Sequence, residues 1–236
     1  MTDQECSLSQ LALLRQQSWM SPAFPIGAYS YSHSVEWAVE AGDISDRESL
    51  VDWLDADLRF GTGRNEALFF LEAWHCGTDD DHQRLIGVAE LAAAFRGSSE
   101  FALESSQQGT SCLGTFQKVW PDRFLGTFSE SVCKRNIAPA LAVVLGIRSA
   151  RQRIPSTLAL PAFLQGYTAN LVTAGTRLIP LGQTDGQLAI AELEEAVLAA
   201  SAQAHQATIG DLGSAAFMVD LSSASHEIQY TRLFRS

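Results

Sequence analysis

The sequence lacks the compact signatures by which catalysis usually announces itself. It has no Gly-x-x-x-x-Gly-Lys-Ser/Thr or Gly-x-Gly-x-x-Gly segment to cradle phosphates; Gly61-Thr62-Gly63 alone reads as a helix break. It has no Gly-x-Ser-x-Gly elbow and no His-Glu-x-x-His pair, so neither a hydrolase nucleophile nor a zinc-peptidase helix has a foothold. Basic charge is scarce. Lys and Arg number 16 against 27 Asp and Glu, a formal net charge of -11, which argues against nucleic acid as a partner because phosphates need a basic face. The same balance disfavours docking on an anionic membrane. No segment approaches the roughly 20 apolar residues of a membrane span. Met1 to Glu5 has neither a basic stretch nor an apolar run of a leader, so the expected compartment is the cytoplasm. Cysteine is thin as well: Cys6, Cys76, Cys112 and Cys133 are scattered, with no Cys-x-x-Cys spacing. A disulfide framework is not expected in a chain so long and apolar, and the thiols read as small core residues.

What is present is helical. The 236 residues are 46% hydrophobic and 18% charged, an ordinary globular composition with ample length for a core. Leu8, Leu11, Leu14 and Trp19 fit a first amphipathic helix, and Ser32 to Gly42 a short one ending on its glycine. Ser45-x-x-Glu48 has capping-box spacing before Leu50, Leu54 and Leu58. Asp79-Asp80-Asp81 complements the dipole of a helix with Leu85, Val88, Ala92 and Phe95 inward. Gly109, Cys112, Phe116 and Val119 share a face of the next, where Ser105, Ser106 and Gly109 permit close helix approach. Pro139 fits the first turn of a following helix, and Pro155 and Pro161 bracket helix starts before the apolar run Ala162 to Ala174. Gly186 to Thr208 reads as one long helix. The expected fold is all-α, a single helical-bundle-like domain of roughly ten helices across 1–236, with 1–6 and the tail 225–236 flexible when unbound.

Four stretches stand out chemically. Ser21 to Trp37 packs two prolines, a glycine, two tyrosines and a tryptophan into a stiff turn that feeds a helix. Arg177 precedes Pro180-Leu181-Gly182-Gln183-Thr184-Asp185-Gly186-Gln187, a capped turn between helices or a polar recognition loop. The segment Ser225 to Ser236 is basic and aromatic within an acidic chain. Arg96, Glu100 and Glu104 recur at four-residue spacing, as an ion-pair ladder on a helix surface or a polar patch for a partner. His75, Cys76 and His82, beside the Asp79–Asp81 run, are the only clustered metal donors, and they straddle a helix end where solvated carboxylates are expected anyway.

Three of these stretches resemble the UreF family of urease accessory proteins. The family pattern Ser-Pro-x-x-Pro-x-Gly-x-Tyr/Phe-Ser-x-Ser-x-Gly-Leu-Glu falls on Ser21 to Glu36, its Leu-x-Pro-Leu/Phe-Gly-Gln loop on Leu178 to Gln183, and its His-Glu-x-Gln-Tyr-x-Arg-Leu-Phe-Arg-Ser tail on His226 to Ser236. The chain departs from the pattern at His33-Ser34, where His/Gln-Gly is usual, and at Arg177, where many relatives carry lysine. Gly77 to Gln152 matches only loosely, and no partner residue is carried over from it.

The resemblance implies a helical, non-enzymatic scaffold that pairs with UreD (UreH), recruits the GTPase UreG and brings nickel to the urease apoenzyme. It further implies a homodimer with no cofactor of its own, and no nucleic acid or membrane partner. Aromatic and arginine anchors suit such interfaces. The residues expected to meet partners are Pro25, Gly27, Tyr29, Ser30, Tyr31, Glu36 and Trp37 of the loop; Arg177, Gln183 and Gln187; and His226, Gln229, Tyr230, Arg232, Leu233, Phe234, Arg235 and Ser236 of the tail. Two alternatives stand beside it: a regulator of UreG, with Arg177 or Gln183 acting on the nucleotide, and a nickel carrier using His75, Cys76 and His82.

Overall fold

Helix α4 (Thr62–Thr78) is apolar all round. Ala67, Leu68, Phe69, Phe70, Leu71, Ala73 and Cys76 are all buried, so α4 must be surrounded by other helices. The computed structural model describes residues 3–236, with side chains from residue 10 onward. In chain order the first helices are α1 (Asp3–Met20), α2 (Val35–Ala41), α3 (Arg47–Phe60), α4, α5 (His82–Ala94), α6 (Ser99–Val119), α7 (Arg123–Arg135), α8 (Leu141–Arg151) and α9 (Ser156–Leu178), of which α3, α5, α8 and α9 pack directly on α4. After them come α10 (Gln183–Glu192), α11 (Glu194–Ala204) and α12 (Phe217–His226), with 3₁₀ turns at Ala28–Ser30 and Ile209–Asp211. Among the described residues there is no β-strand, and no helix is long and apolar enough to cross a membrane. The all-α expectation holds.

One continuous core runs from Trp19 on α1 to Ala204 on α11, while Val219 of α12 packs in a small separate cluster with Phe101 and Ala216. Helix α8 lies along α4, and α9 packs on both. Gly109 does what its size allows: a Cβ there would stand 1.9 Å from Pro139 O, so α6 meets the strand of chain before α8 backbone to backbone. Trp19 is wedged edge-on to Phe116 at 5.2 Å, with the buried Arg148 guanidinium 5.6 Å over its ring.

The helix starts are set by short acidic or hydroxyl side chains. Asp46 accepts from Ser49 N at 2.9 Å while Ser49 Oγ accepts from Asp46 N at 3.1 Å, a capping box displaced by one residue from the Ser45/Glu48 pair expected. Asp81, Ser98 and Asp122 cap α5, α6 and α7.

Other expectations are corrected. The helix over Gly186 to Thr208 is two helices that turn at Leu193, which lets Leu193 bury completely while Ala189 and Val197 stay on the core. Pro161 lies inside α9, one turn past its start, and Pro139 precedes α8. Leu11 and Leu14 face out; α1 docks instead through Trp19 and through Gln16, whose amide donates to Leu158 O and Ala159 O at 3.3 Å. Leu8 lies outside the residues whose side chains are described.

Candidate partner-docking site

The loop before α2 is held in an unusual backbone path. Gly27 has φ 72° and opens the 3₁₀ turn, then His33 and Ser34 follow one another at φ 51° and 74°. Two consecutive side-chain-bearing residues in the left-handed region cost roughly 1–2 kcal/mol each. The surroundings hold them there. The His33 ring stacks on Phe101 at 4.1 Å, meets Tyr167 edge-on at 5.4 Å, and places Nδ1 3.0 Å from Glu104 Oε2. Ile26 to Ser30 stay at the surface edge, where Asn170 Nδ2 donates to Ala28 O at 3.2 Å.

Residues 226–236 are threaded between this loop and α6. Arg235 N donates to Ser30 O at 2.8 Å, and Ser236 O accepts from both Ser32 N and Ser32 Oγ at 2.6 Å. Glu36, at the start of α2, accepts from Leu233 N at 2.6 Å and Phe234 N at 2.9 Å, clamping the backbone while the Phe234 ring buries. Glu100 accepts from Arg232 Nη1 at 2.8 Å, and Glu104 from Ser236 Oγ at 3.1 Å. His226 lies between Glu36 and Glu100, 3.0 Å and 2.5 Å from their carboxylate oxygens. Charge-assisted bonds of this kind are the strong ones. Arg177, at the end of α9, ties the rest together: Nη1 donates to Tyr29 O at 2.8 Å and the guanidinium stands 4.4 Å over the Phe234 ring.

Beneath the loop is a second layer of ionisable groups. Asp57 accepts from Thr62 N at 2.9 Å, Gly63 N at 3.3 Å and Tyr167 Oη at 2.7 Å, so one carboxylate caps α4 from the end of α3 and fixes α9. Burial pushes the Asp57 carboxyl up, against the pull of His33, Tyr167 and the two amides. Burial likewise raises Glu100, opposed by His226 and Arg232. For His33 burial acts downward, but the carboxylates of Glu104, Asp57 and Glu66 outweigh it and the imidazole is raised. The Glu66 carboxylate is paired with Arg96.

The UreF family model matches residues 44–194 of this chain. The urease accessory protein UreF of Rhodopseudomonas palustris (strain TIE-1) is 46% identical over 225 residues, covering 95% of this chain and 92% of that protein. This chain belongs to the UreF family. The UreF proteins of Bradyrhizobium diazoefficiens and Granulibacter bethesdensis are 44% and 43% identical, over 95% and 98% of this chain and 92% and 96% of theirs.

The loop and tail stretches of the UreF pattern are thus joined in space, and Arg177, just before the stretch Leu178 to Gln183, reaches both. Within them the expected partner residues divide in two. Pro25, Tyr29, Arg177, Tyr230, Arg232, Leu233 and Arg235 are exposed, and Gly27, Ser30, Trp37 and Gln229 are partly so. Tyr31, Glu36, His226, Phe234 and Ser236 are buried and hold the clasp from inside. Gln183 and Gln187 sit exposed on α10, apart from the clasp's hydrogen bonds. At the usual glycine position of the UreF pattern, Ser34 adopts the conformation glycine favours.

Glu100 and Glu104 form no surface ladder: both are buried, and Arg96 pairs with Glu66 rather than with Glu100. Their spacing in the sequence was visible, but the partners of Glu100 (His226 and Arg232) lie more than a hundred positions away, and Glu104 joins Ser236 as well as His33 and Gln108. Asp57 and Tyr167 gave no sequence signal for their part in this site; Ser32 stands in the UreF pattern but was not among the residues expected to meet partners. His75, Cys76 and His82 do not converge. Cys76 is buried with its thiol pushed up to about 11 chiefly by burial, and the His82 ring stacks on Phe124 at 3.8 Å. Among the described residues no group of three or more His, Cys, Asp or Glu is placed to hold a metal ion.

Proposed function

We propose that this chain is the non-enzymatic scaffold of urease maturation, joining UreD (UreH) and the GTPase UreG on the urease apoenzyme so that nickel reaches the active site, and that it works as a homodimer. Nickel is cargo in this reading, not a resident cofactor. The observation that carries it is the joining of the loop, the tail and Arg177 into one surface, built on a clasp of buried carboxylates. That surface leaves large side chains uncovered: Tyr29 is 70%, Ile228 84%, Tyr230 102% and Leu233 56% exposed. Exposed aromatic and aliphatic groups ringed by Arg177, Arg232 and Arg235 have the makings of an interface centre with a polar rim. Arg177 is engaged with Tyr29 O and Phe234, which gives it the role of joining loop to tail.

Deleting Tyr230 to Ser236 tests the proposal. The truncated chain keeps its helical circular dichroism but no longer co-purifies with UreD or UreG from cells that express all three. A truncated chain that still carries both partners would overturn it.

A further inference from the structure

We propose that docking of residues 226–236 is linked to uptake of one proton, shared among His226, Glu36 and Glu100, so that the segment is released as pH rises. The inference rests on hydrogen-bond valence and not on the identity of any partner. The His226 side chain is fully buried, with Nδ1 2.5 Å from Glu100 Oε2 and Nε2 3.0 Å from Glu36 Oε2. An ionised carboxylate only accepts, and a neutral imidazole has a single N–H. With a neutral ring and two carboxylates, one contact would set lone pair against lone pair inside the protein. Satisfying both contacts takes one proton more.

The neighbouring groups leave no other source for that proton. Glu36 is already occupied by Leu233 N and Phe234 N, and neither can turn toward the ring. Arg232 offsets the charge of Glu100 but donates to its other oxygen. The Glu227 carboxylate is bound to Ser99 N at 2.9 Å, at the start of α6. The His33–Glu104 pair is anchored one turn further along α6 on residues outside the tail, and the tail meets it only through the Ser236 hydroxyl, which donates to Glu104. Two buried carboxylates facing one arginine therefore need a second cation, and the imidazolium is the group in place to supply it. Burial raises the Glu100 carboxyl, so that carboxyl is a second place in the cluster where the proton can rest.

Once released into water, the imidazole holds its proton only below about pH 6.5 and the carboxyls lose theirs near 4. The docked state thus binds the extra proton over a range where the released state does not. The contribution to docking is complete below about pH 6.5 and is lost as pH rises, at up to about tenfold in the opening equilibrium per pH unit.

Glu100→Gln separates this from a merely structural contact. Its amide can donate to Nδ1 while its oxygen accepts from Arg232, so a neutral His226 donating to Glu36 satisfies every group. Amide hydrogen exchange at Leu233 and Phe234, divided by the intrinsic chemical rate, reads the opening equilibrium. From about pH 6.5 to about pH 8.5 that equilibrium should rise up to about 100-fold in the full wild-type chain and stay flat in Glu100→Gln. A flat wild-type profile, or a Glu100→Gln profile as steep as wild type, overturns the proposal. Imidazole nitrogen NMR of the wild-type chain decides independently of the variant's folding. Read together with side-chain carboxyl carbon shifts, two N–H signals from His226, or a neutral ring beside a protonated Glu100 carboxyl, at about pH 7.5 support the extra proton; a neutral ring between two ionised carboxylates refutes it.

Discussion

At the scale of single residues the molecule holds one position against its own preference. Ser34 sits at φ 74° with its hydroxyl buried and without a hydrogen-bond partner. Replacing it by glycine removes both penalties and restores the residue usual in the UreF pattern, while raising the entropy of the unfolded chain. The first two effects exceed the third, and Ser34→Gly should stabilise by about 1 kcal/mol. A urea-unfolding midpoint shifted upward at unchanged slope checks it. The residue scale is also where sequence reading was least able to assign roles. The pattern marks Glu36 and His226 as special as firmly as it marks Tyr29 and Tyr230. Only the fold shows that the first two are buried beneath the tail and the last two stand outside it. An acidic residue on a helix reads as surface because burying a charge is costly. Glu100 and Glu104 escape that cost through donors brought in from the far end of the chain.

At the scale of elements, the break between α3 and α4 is the hinge on which the site is mounted. Glycines at 61 and 63 announced the break, but its fastening is Asp57, which satisfies two amides at the start of α4 and the Tyr167 hydroxyl on α9. Asp57→Ala strands all three donors inside the protein and should cost about 2–4 kcal/mol. Tyr167→Phe removes one bond and leaves the two amides satisfied, so about 1 kcal/mol is expected. The difference between the two, read from chemical denaturation, locates the stability in the helix cap rather than in the aromatic contact.

Helix legibility followed the same logic. Where apolar residues face inward, as at Leu50, Leu54 and Leu58, periodicity found the helix. Helix α7 had a legible signal in Phe124, Leu125, Phe128 and Val132 behind the Asp122 cap, yet went unread between two proline segments. Helix α12 was hidden for a physical reason. It buries Val219, Ser222, Ser223 and His226 and turns Phe217, Met218 and Leu221 outward, so its hydrophobic face is the wrong one for a core.

At the scale of the whole molecule, that inverted helix and the tail after it leave Phe217, Met218, Leu221, Ile228, Tyr230 and Leu233 uncovered while His226 and Ser236 are held inside. An isolated domain gains nothing from such an arrangement; a component of an assembly does. Two aromatic substitutions distinguish the inner from the outer role. Phe234→Ala empties a buried position beneath Arg177 and should release the tail, at a local cost of about 3 kcal/mol. Partner binding is then lost indirectly, together with exchange protection at Leu233 and Phe234. Tyr230 is fully exposed, so Tyr230→Ala should leave stability within about 0.5 kcal/mol and leave tail protection unchanged. If Tyr230 is an anchor at the interface with UreD, its loss nevertheless weakens the complex by about 2 kcal/mol, roughly 30-fold in Kd. Titration calorimetry with purified UreD, run beside exchange measurements on the free variants, separates the cases. Unchanged affinity in Tyr230→Ala would move the interface off the tail's outer side, even though the clasp that shapes the tail remained intact.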